Sequence, residues 1–240
     1  MRRLGFSTGA LAFGDFRSAL RILASTNATA VELSALRQSE FEPLVSALSE
    51  LGLEQYSHIS VHLPSSVQPE FEALMFRLAD RFPPEWPLIT HPNIILDWSE
   101  WRTLGNRVCI ENMDERKSIG QTRADLRRIF DKLPEATFCF DIGHAHQIDP
   151  TMGEAVLILE EFDKKLRQLH VSEVNSESKH DKISLEAARA FAIIVPLIPE
   201  GVPAILESRI PEGKNVSQQV VSEMGLVGHL LTAPIEVAGD

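Results

Sequence analysis

Eight times along this chain a short apolar run halts at or beside a polar residue, and a stretch with helical spacing follows before the next run begins. The runs are 4–7, 30–33, 59–62, 88–91, 107–111, 137–141, 168–171 and 204–207. Near-continuous apolar runs separated by helix-length segments are the pattern of parallel strands buried on both faces. Eight such units in 240 residues predict an α/β protein, a single-domain (β/α)8 TIM barrel over residues 1–240, close to the usual barrel size of about 250. A doubly wound open sheet is the other architecture with this alternation. It is disfavoured because no glycine-rich dinucleotide fingerprint follows the first run.

Capping signals place several helices. Ser39 with Glu42 reads as a capping box, Thr122 and Asp125 open a helix after the fifth run, and Asp97 with Glu100 caps a short helix through Trp101. Hydrophobic spacing predicts further helices over 15–25, 70–81, 153–166, 184–198 and 216–231. The chain is 44% hydrophobic, enough for one large core. A formal charge of −11 opposes long-range attraction to nucleic acid or an anionic membrane. Cys109 and Cys139 both lie in apolar runs without CxxC spacing, as small core hydrophobes of a reducing compartment. No apolar run is long enough to span a bilayer, and Met1-Arg2-Arg3-Leu4-Gly5-Phe6 lacks the pattern of a signal peptide, so a cytoplasmic location is expected.

The candidate site follows from alternation along the strands. Cys109 and Glu111 share a face, as do Cys139 and Asp141, Gln168 and His170, and Ile205 and Glu207. In a closed barrel that face points inward, and the last member of each pair stands at the C-terminal mouth, where barrel enzymes keep their active sites. His62 and His91 end the third and fourth runs, while His144 and His180 follow the sixth and seventh. Acids and imidazoles gathered in a barrel interior need a compensating charge, which a divalent ion supplies. One Asp, two Glu and one His suit Mn²⁺, Mg²⁺, Co²⁺ or Zn²⁺, and the additional histidines shift the balance toward Zn²⁺ or a site of two or three ions.

Basic residues follow the fifth, seventh and eighth strands: Arg116, Lys117, Lys179, Lys182, Arg209 and Lys214. They point to a small anionic substrate, with Arg209 and Lys182 as its contacts, or are solvated loop charges. Glu32 either orients a neighbouring His or makes a structural polar contact. The three tryptophans, Trp86, Trp98 and Trp101, either wall a sugar or pack the core.

The ordered series His62-Leu-Pro, His91-Pro, Glu111-Asn, Asp141-x-x-His144, His170 with His180 ten residues on, and Glu207 resembles the xylose isomerase-like barrels. These include sugar and sugar-phosphate isomerases and epimerases, and the endonuclease IV type of zinc phosphodiesterase. The epimerase pattern implies one ion on Glu111, Asp141, His170 and Glu207, with His144 touching substrate and Glu111 and Glu207 moving protons as acid and base. The substrate-binding Arg of those enzymes has Ser176 in its place here. The endonuclease pattern implies that Glu111 bridges one ion held with His62 and His91 and another held with Asp141, His170 and Glu207. A third ion would take His144, His180 and an aspartate whose position is Ser178, with Asp181 as a substitute.

The reading from sequence is therefore a metal-dependent isomerase or epimerase of carbohydrate metabolism, acting on a small sugar, sugar phosphate or related hydroxy-carbonyl compound. The alternatives are a zinc-dependent phosphoester hydrolase and a non-catalytic ligand-binding barrel. A homo-oligomer is compatible with either enzyme.

Overall fold

The structure, a computed structural model, describes residues 2–211, 213 and 215–232. Its strands are β1 (Leu4–Ser7), β2 (Ala30–Ser34), β3 (His58–His62), β4 (Leu88–Thr90), β5 (Val108–Glu111), β6 (Thr137–Asp141), β7 (Leu166–Val171), β8 (Glu173–Val174), β9 (His180–Asp181) and β10 (Ala204–Leu206). All but β8 and β9 pair in parallel and close into an eight-stranded TIM barrel, each beside its sequence neighbour, with β10 sealing β7 to β1. The helices are α1 (Thr8–Ala12), α2 (Phe16–Leu23), α3 (Gln38–Ala47), α4 (Glu72–Ala79), α5 (Trp98–Thr103), α6 (Arg123–Lys132), α7 (Ile142–Ile148), α8 (Gly153–Phe162), α9 (Leu185–Ala192) and α10 (Val216–Leu230).

Two cores result from the alternation. Outward-facing side chains meet the helices: Phe138 packs edge-on to Phe130 and Phe162, all three buried. Each such ring contributes roughly 1.5–3 kcal/mol by leaving water. Inside the barrel a small separate apolar layer of Ile89, Cys109 and Cys139 lies beneath the polar upper mouth. Burial pushes the Cys109 thiol up to about 12 and Cys139 well above the ordinary range, so both behave as neutral core hydrophobes.

Local chemistry sets the helix starts. Asp15, Asp97 and Ser184 accept backbone N–H groups at the starts of α2, α5 and α9, and Thr122 with Asp125, expected to open a helix, forms a capping box at the start of α6. The expected box of Ser39 with Glu42 does not form. α3 begins two residues earlier, with Arg37 in place of Ser39 at the N-cap, because the Glu40 carboxylate reaches back to the Arg37 N–H at 3.0 Å. Several helices are shorter than their hydrophobic spacing suggests: α8 ends at Phe162 and α9 at Ala192, each followed by a 3₁₀ turn. Two short helices absent from the helix signals above, α1 and α7, follow β1 and β6 directly, and each contains a glycine. At Gly143 that glycine serves close packing: a Cβ there would lie 2.5 Å from the Ser172 carbonyl oxygen. The polar segment between β7 and α9 pairs β8 with β9 as an antiparallel ribbon, which carries His180.

Candidate metal centre

Glu111 ends β5 fully inside the mouth, and histidines from four other segments converge on its carboxylate. His62 Nε2 and His91 Nε2 each lie 3.2 Å from Oε2, while His170 Nδ1 lies 3.1 Å and His144 Nδ1 3.5 Å from Oε1. Asp141, Glu207 and His180 complete the cluster. Three sets have ligand atoms within 4.8 Å of one another: His62 with His91 and Glu111; Glu111 with Asp141, His170 and Glu207; and Asp141 with His144 and His180. Glu111 and Asp141 each belong to two sets.

Hydrogen bonds on the outer ring edges show which nitrogens are left for an ion. His62 Nδ1 donates to the Leu63 carbonyl at 2.7 Å, so its Nε2 is the lone-pair nitrogen facing Glu111. His170 Nε2 lies 3.0 Å from the Glu32 carboxylate, which leaves Nδ1 facing Glu111 and Glu207. His144 Nδ1 donates to the Asn112 carbonyl at 2.9 Å, and its buried Nε2 has no partner. Asp141 is divided in the same way: Oδ1 caps α7 by accepting the His144 N–H at 2.7 Å, while buried Oδ2 is unpartnered. A lone pair aimed at a carboxylate oxygen is unfavourable unless a proton or a cation stands between them. The donor set therefore fits divalent ions, with mixed nitrogen and oxygen ligation of the kind Zn²⁺ or Mn²⁺ accepts.

Without an ion, protons take that role. Burial would lower His62, but the Glu111 hydrogen bond and charge outweigh it and raise the imidazole to about 9. Burial pushes Asp141 up to about 6 and Glu207 up to about 7. For Glu111, burial is overcome by His170, His62 and His91, which hold it well below the ordinary carboxylate range. Burial lowers His91 to about 4 and His180 to about 3, keeping both neutral.

A cavity of about 520 Å³ opens above this cluster, with His62, His91, Glu111, His144, His180 and Glu207 in its wall. Arg37, Arg116, Lys117, Lys179 and Arg209 also line it. Arg116 pairs with Asp114, Lys179 with Glu177 and Arg37 with Glu40. Arg209 instead lies over the Phe13 ring, 4.8 Å from its centroid. Lys182 is not brought to the cavity: its ammonium meets Gln219 of α10 at 3.1 Å. Lys214 lies outside the described residues. Asp181 does not stand in for the aspartate missing at Ser178, because its carboxylate accepts from the Asn175 amide at 2.6 Å. None of the tryptophans lines the cavity. Trp101 is buried, donating to Glu72 at 2.7 Å.

Two residues that the sequence reading names without a role, Asn112 and Gln168, support the cluster. Asn112 clamps the ends of β5 and β6 together, donating to the Asp141 carbonyl at 2.9 Å and accepting the Asp141 N–H at 2.8 Å. Its only sequence signal is an amide directly after a strand-ending Glu. Gln168 donates to Glu32 at 2.7 Å and thereby helps fix the carboxylate that anchors His170. Of the two roles open to Glu32, orienting a histidine is the one its contacts display.

Residues 94–197 match the family model described as a xylose isomerase-like TIM barrel, a span that includes Glu111, Asp141, His144, His170 and His180. No curated protein matches the sequence. Among solved structures, a putative sugar phosphate isomerase/epimerase from Anabaena variabilis is similar at a TM-score of 0.64 and 13% identity, over 96% of this chain and 98% of that one. Endonuclease IV from Thermus thermophilus is similar at 0.57 and 14% identity, over 93% of this chain and 98% of that one. A xylose isomerase-like TIM barrel protein from Mycobacterium smegmatis in complex with magnesium gives 0.59 and 14%, over 97% of each chain. At such identities the likeness is one of fold. No helix among the described residues is long and apolar enough to cross a membrane.

Proposed function

We propose that this xylose isomerase-like TIM barrel is a metal-dependent hydrolase of small phosphoesters, with more than one divalent ion gathered around Glu111. The observation that carries this reading is the division of the Glu111 carboxylate, Oε2 toward His62 and His91 and Oε1 toward His170 and His144. A glutamate with both oxygens committed in this way suits bridging ions better than shuttling a substrate proton. His62 and His91 would hold one ion with it, and Asp141, His170 and Glu207 another. Ions so placed supply Lewis-acid activation of water and neutralise charge on a phosphoryl group.

The chain's own residues would do the rest. Arg209 and Lys117 present positive charge to an entering phosphoryl group, in a protein whose net charge of −11 disfavours a nucleic acid polymer. Glu32 and Asn112 keep His170 and Asp141 aimed. Glu207 reaches the cavity wall, beside the place where substrate would enter.

That same Glu207 favours a second reading, proton transfer on a sugar or sugar phosphate with a single ion on Glu111, Asp141, His170 and Glu207. The two readings part in one experiment. The metal-loaded protein is assayed on p-nitrophenyl phosphomono- and diesters, and separately for exchange of substrate C–H protons with deuterated water across a panel of sugars and sugar phosphates. Chelator-sensitive ester hydrolysis without exchange supports the hydrolase. Exchange without hydrolysis overturns it in favour of the isomerase.

A further inference from the structure

The opposite, N-terminal mouth of the barrel carries a second polar opening. It is a cavity of about 220 Å³ lined by Arg3, Arg167 and His58 together with Gly201, and no acidic residue lines it among those described. The surrounding turn is tied by arginine donors. Arg2 Nη1 donates to the Pro199 and Val202 carbonyls at 3.1 and 2.6 Å, and Arg3 Nη2 to Gly201 at 3.0 Å. Arg2 Nε is buried without a partner. Positive charge is thus concentrated at one point of a strongly acidic chain, and Glu200, whose charge acts on Arg2, does not line the cavity.

His58 is the buried element of the site, 9% exposed at the base of β3. Its orientation is set from inside the barrel. Gln168 Nε2 donates to the Glu32 carboxylate at 2.7 Å, so Gln168 must turn its carbonyl oxygen toward His58, 2.7 Å from Nε2. An acceptor there requires His58 Nε2 to carry the proton. Nδ1 is then the lone-pair nitrogen, with no hydrogen-bond partner among the described residues. Burial, helped by the Arg3 and Arg167 charges, outweighs the Gln168 hydrogen bond and holds the imidazole below its ordinary value.

Two guanidinium groups ask for anionic oxygens, and a neutral imidazole nitrogen asks for a hydrogen-bond donor. One small ligand class answers both, a tetrahedral oxyanion that retains an O–H. We propose that this mouth is a binding site for hydrogen phosphate, held by Arg3 and Arg167 through its charged oxygens and by His58 Nδ1 through its hydroxyl. The site is separate from the metal centre and does not depend on the reaction performed there.

The test is a phosphate titration of the isotope-labelled protein as purified, at constant ionic strength, following the His58 ring and the Gly201 amide by NMR. Both are expected to shift saturably. Sulfate, which has no O–H at neutral pH, should bind at least about fivefold more weakly. Arg167→Glu, at an exposed position that leaves the fold intact, should weaken binding at least about tenfold, as expected when a hydrogen bond between charged groups is lost. Arg209→Ala, at the other mouth, should leave the titration unchanged. A His58 ring that does not respond overturns the proposal, as does sulfate binding equal to phosphate, a response surviving Arg167→Glu, or one abolished by Arg209→Ala.

Discussion

The lower and upper halves of the barrel interior are built from the same strands, yet they treat polar groups in opposite ways. Below, Gln168 joins His58 Nε2 and Glu32 Oε2 in one chain of hydrogen bonds, and Ile89, Cys109 and Cys139 fill the remaining space. Above, Asp141 Oδ2, His144 Nε2 and His91 Nδ1 are buried with no partner, and imidazole lone pairs face carboxylate oxygens. Buried polarity alone therefore does not mark function, nor does a lone unsatisfied group such as Tyr56 Oη or Arg107 Nε; several unsatisfied acids and imidazoles gathered at one point do. Glu32 stands at the border, with Oε2 holding His170 and Oε1 unpaired.

Removing the hub should produce the largest effect. Glu111→Gln takes one charge from two ligand sets at once, and both metal content and phosphoester turnover should fall by more than the roughly 100-fold that an outer contact is worth. Elemental analysis beside steady-state kinetics checks this. Glu32→Gln removes only the partner of His170 Nε2 and should cost about 10–100-fold in metal affinity, read by competition with a fluorescent chelator. A loss as large as that of Glu111→Gln would erase the distinction between the two halves.

Proton linkage sharpens the comparison. In the ion-free chain His62 and His170 are both held above the ordinary imidazole value, with their acidic neighbours outweighing burial. Their stabilising contribution is full below the unfolded value of about 6.5 and is lost as pH rises, through about 9 for His62. The melting temperature of the chelated protein should fall between pH 7 and 9.5, and divalent ions should restore it by taking the place of those protons. A chelated protein whose melting temperature rises over that range would contradict the assignment.

Smaller effects are expected at the rim. Arg209→Ala should raise KM for a phosphoester about tenfold with little change in kcat, the loss expected of one charge-assisted hydrogen bond. Lys182→Ala should change neither parameter by more than about twofold, because its ammonium meets Gln219 rather than the cavity.

The barrel was legible because the alternation of buried strand and amphipathic helix repeats eight times and most of the longer helices carry local signals of their own, whereas the short α1 and α7 do not. The ligand candidates were legible because strand alternation puts Glu111, Asp141 and His170 on the inward face, and the strand registers set Glu111 beside Cys139 and Asp141 beside His170. Orientation was not legible. Nothing in the local sequence says that Lys182 turns toward α10, that Asp181 is taken by Asn175, or that Glu40 rather than Glu42 caps α3, since each depends on partners distant along the chain or on competition between near-equivalent neighbours. Asn112 and Gln168 were invisible for the same reason: their roles lie in bonds spanning 29 and 136 residues.

Elemental analysis of the purified protein beside His62→Ala and Glu111→Gln tests the bridged centre most directly. Two or more divalent ions per chain are expected, with one lost in His62→Ala and both affected in Glu111→Gln. A single ion per chain, retained in full by His62→Ala, would contradict it.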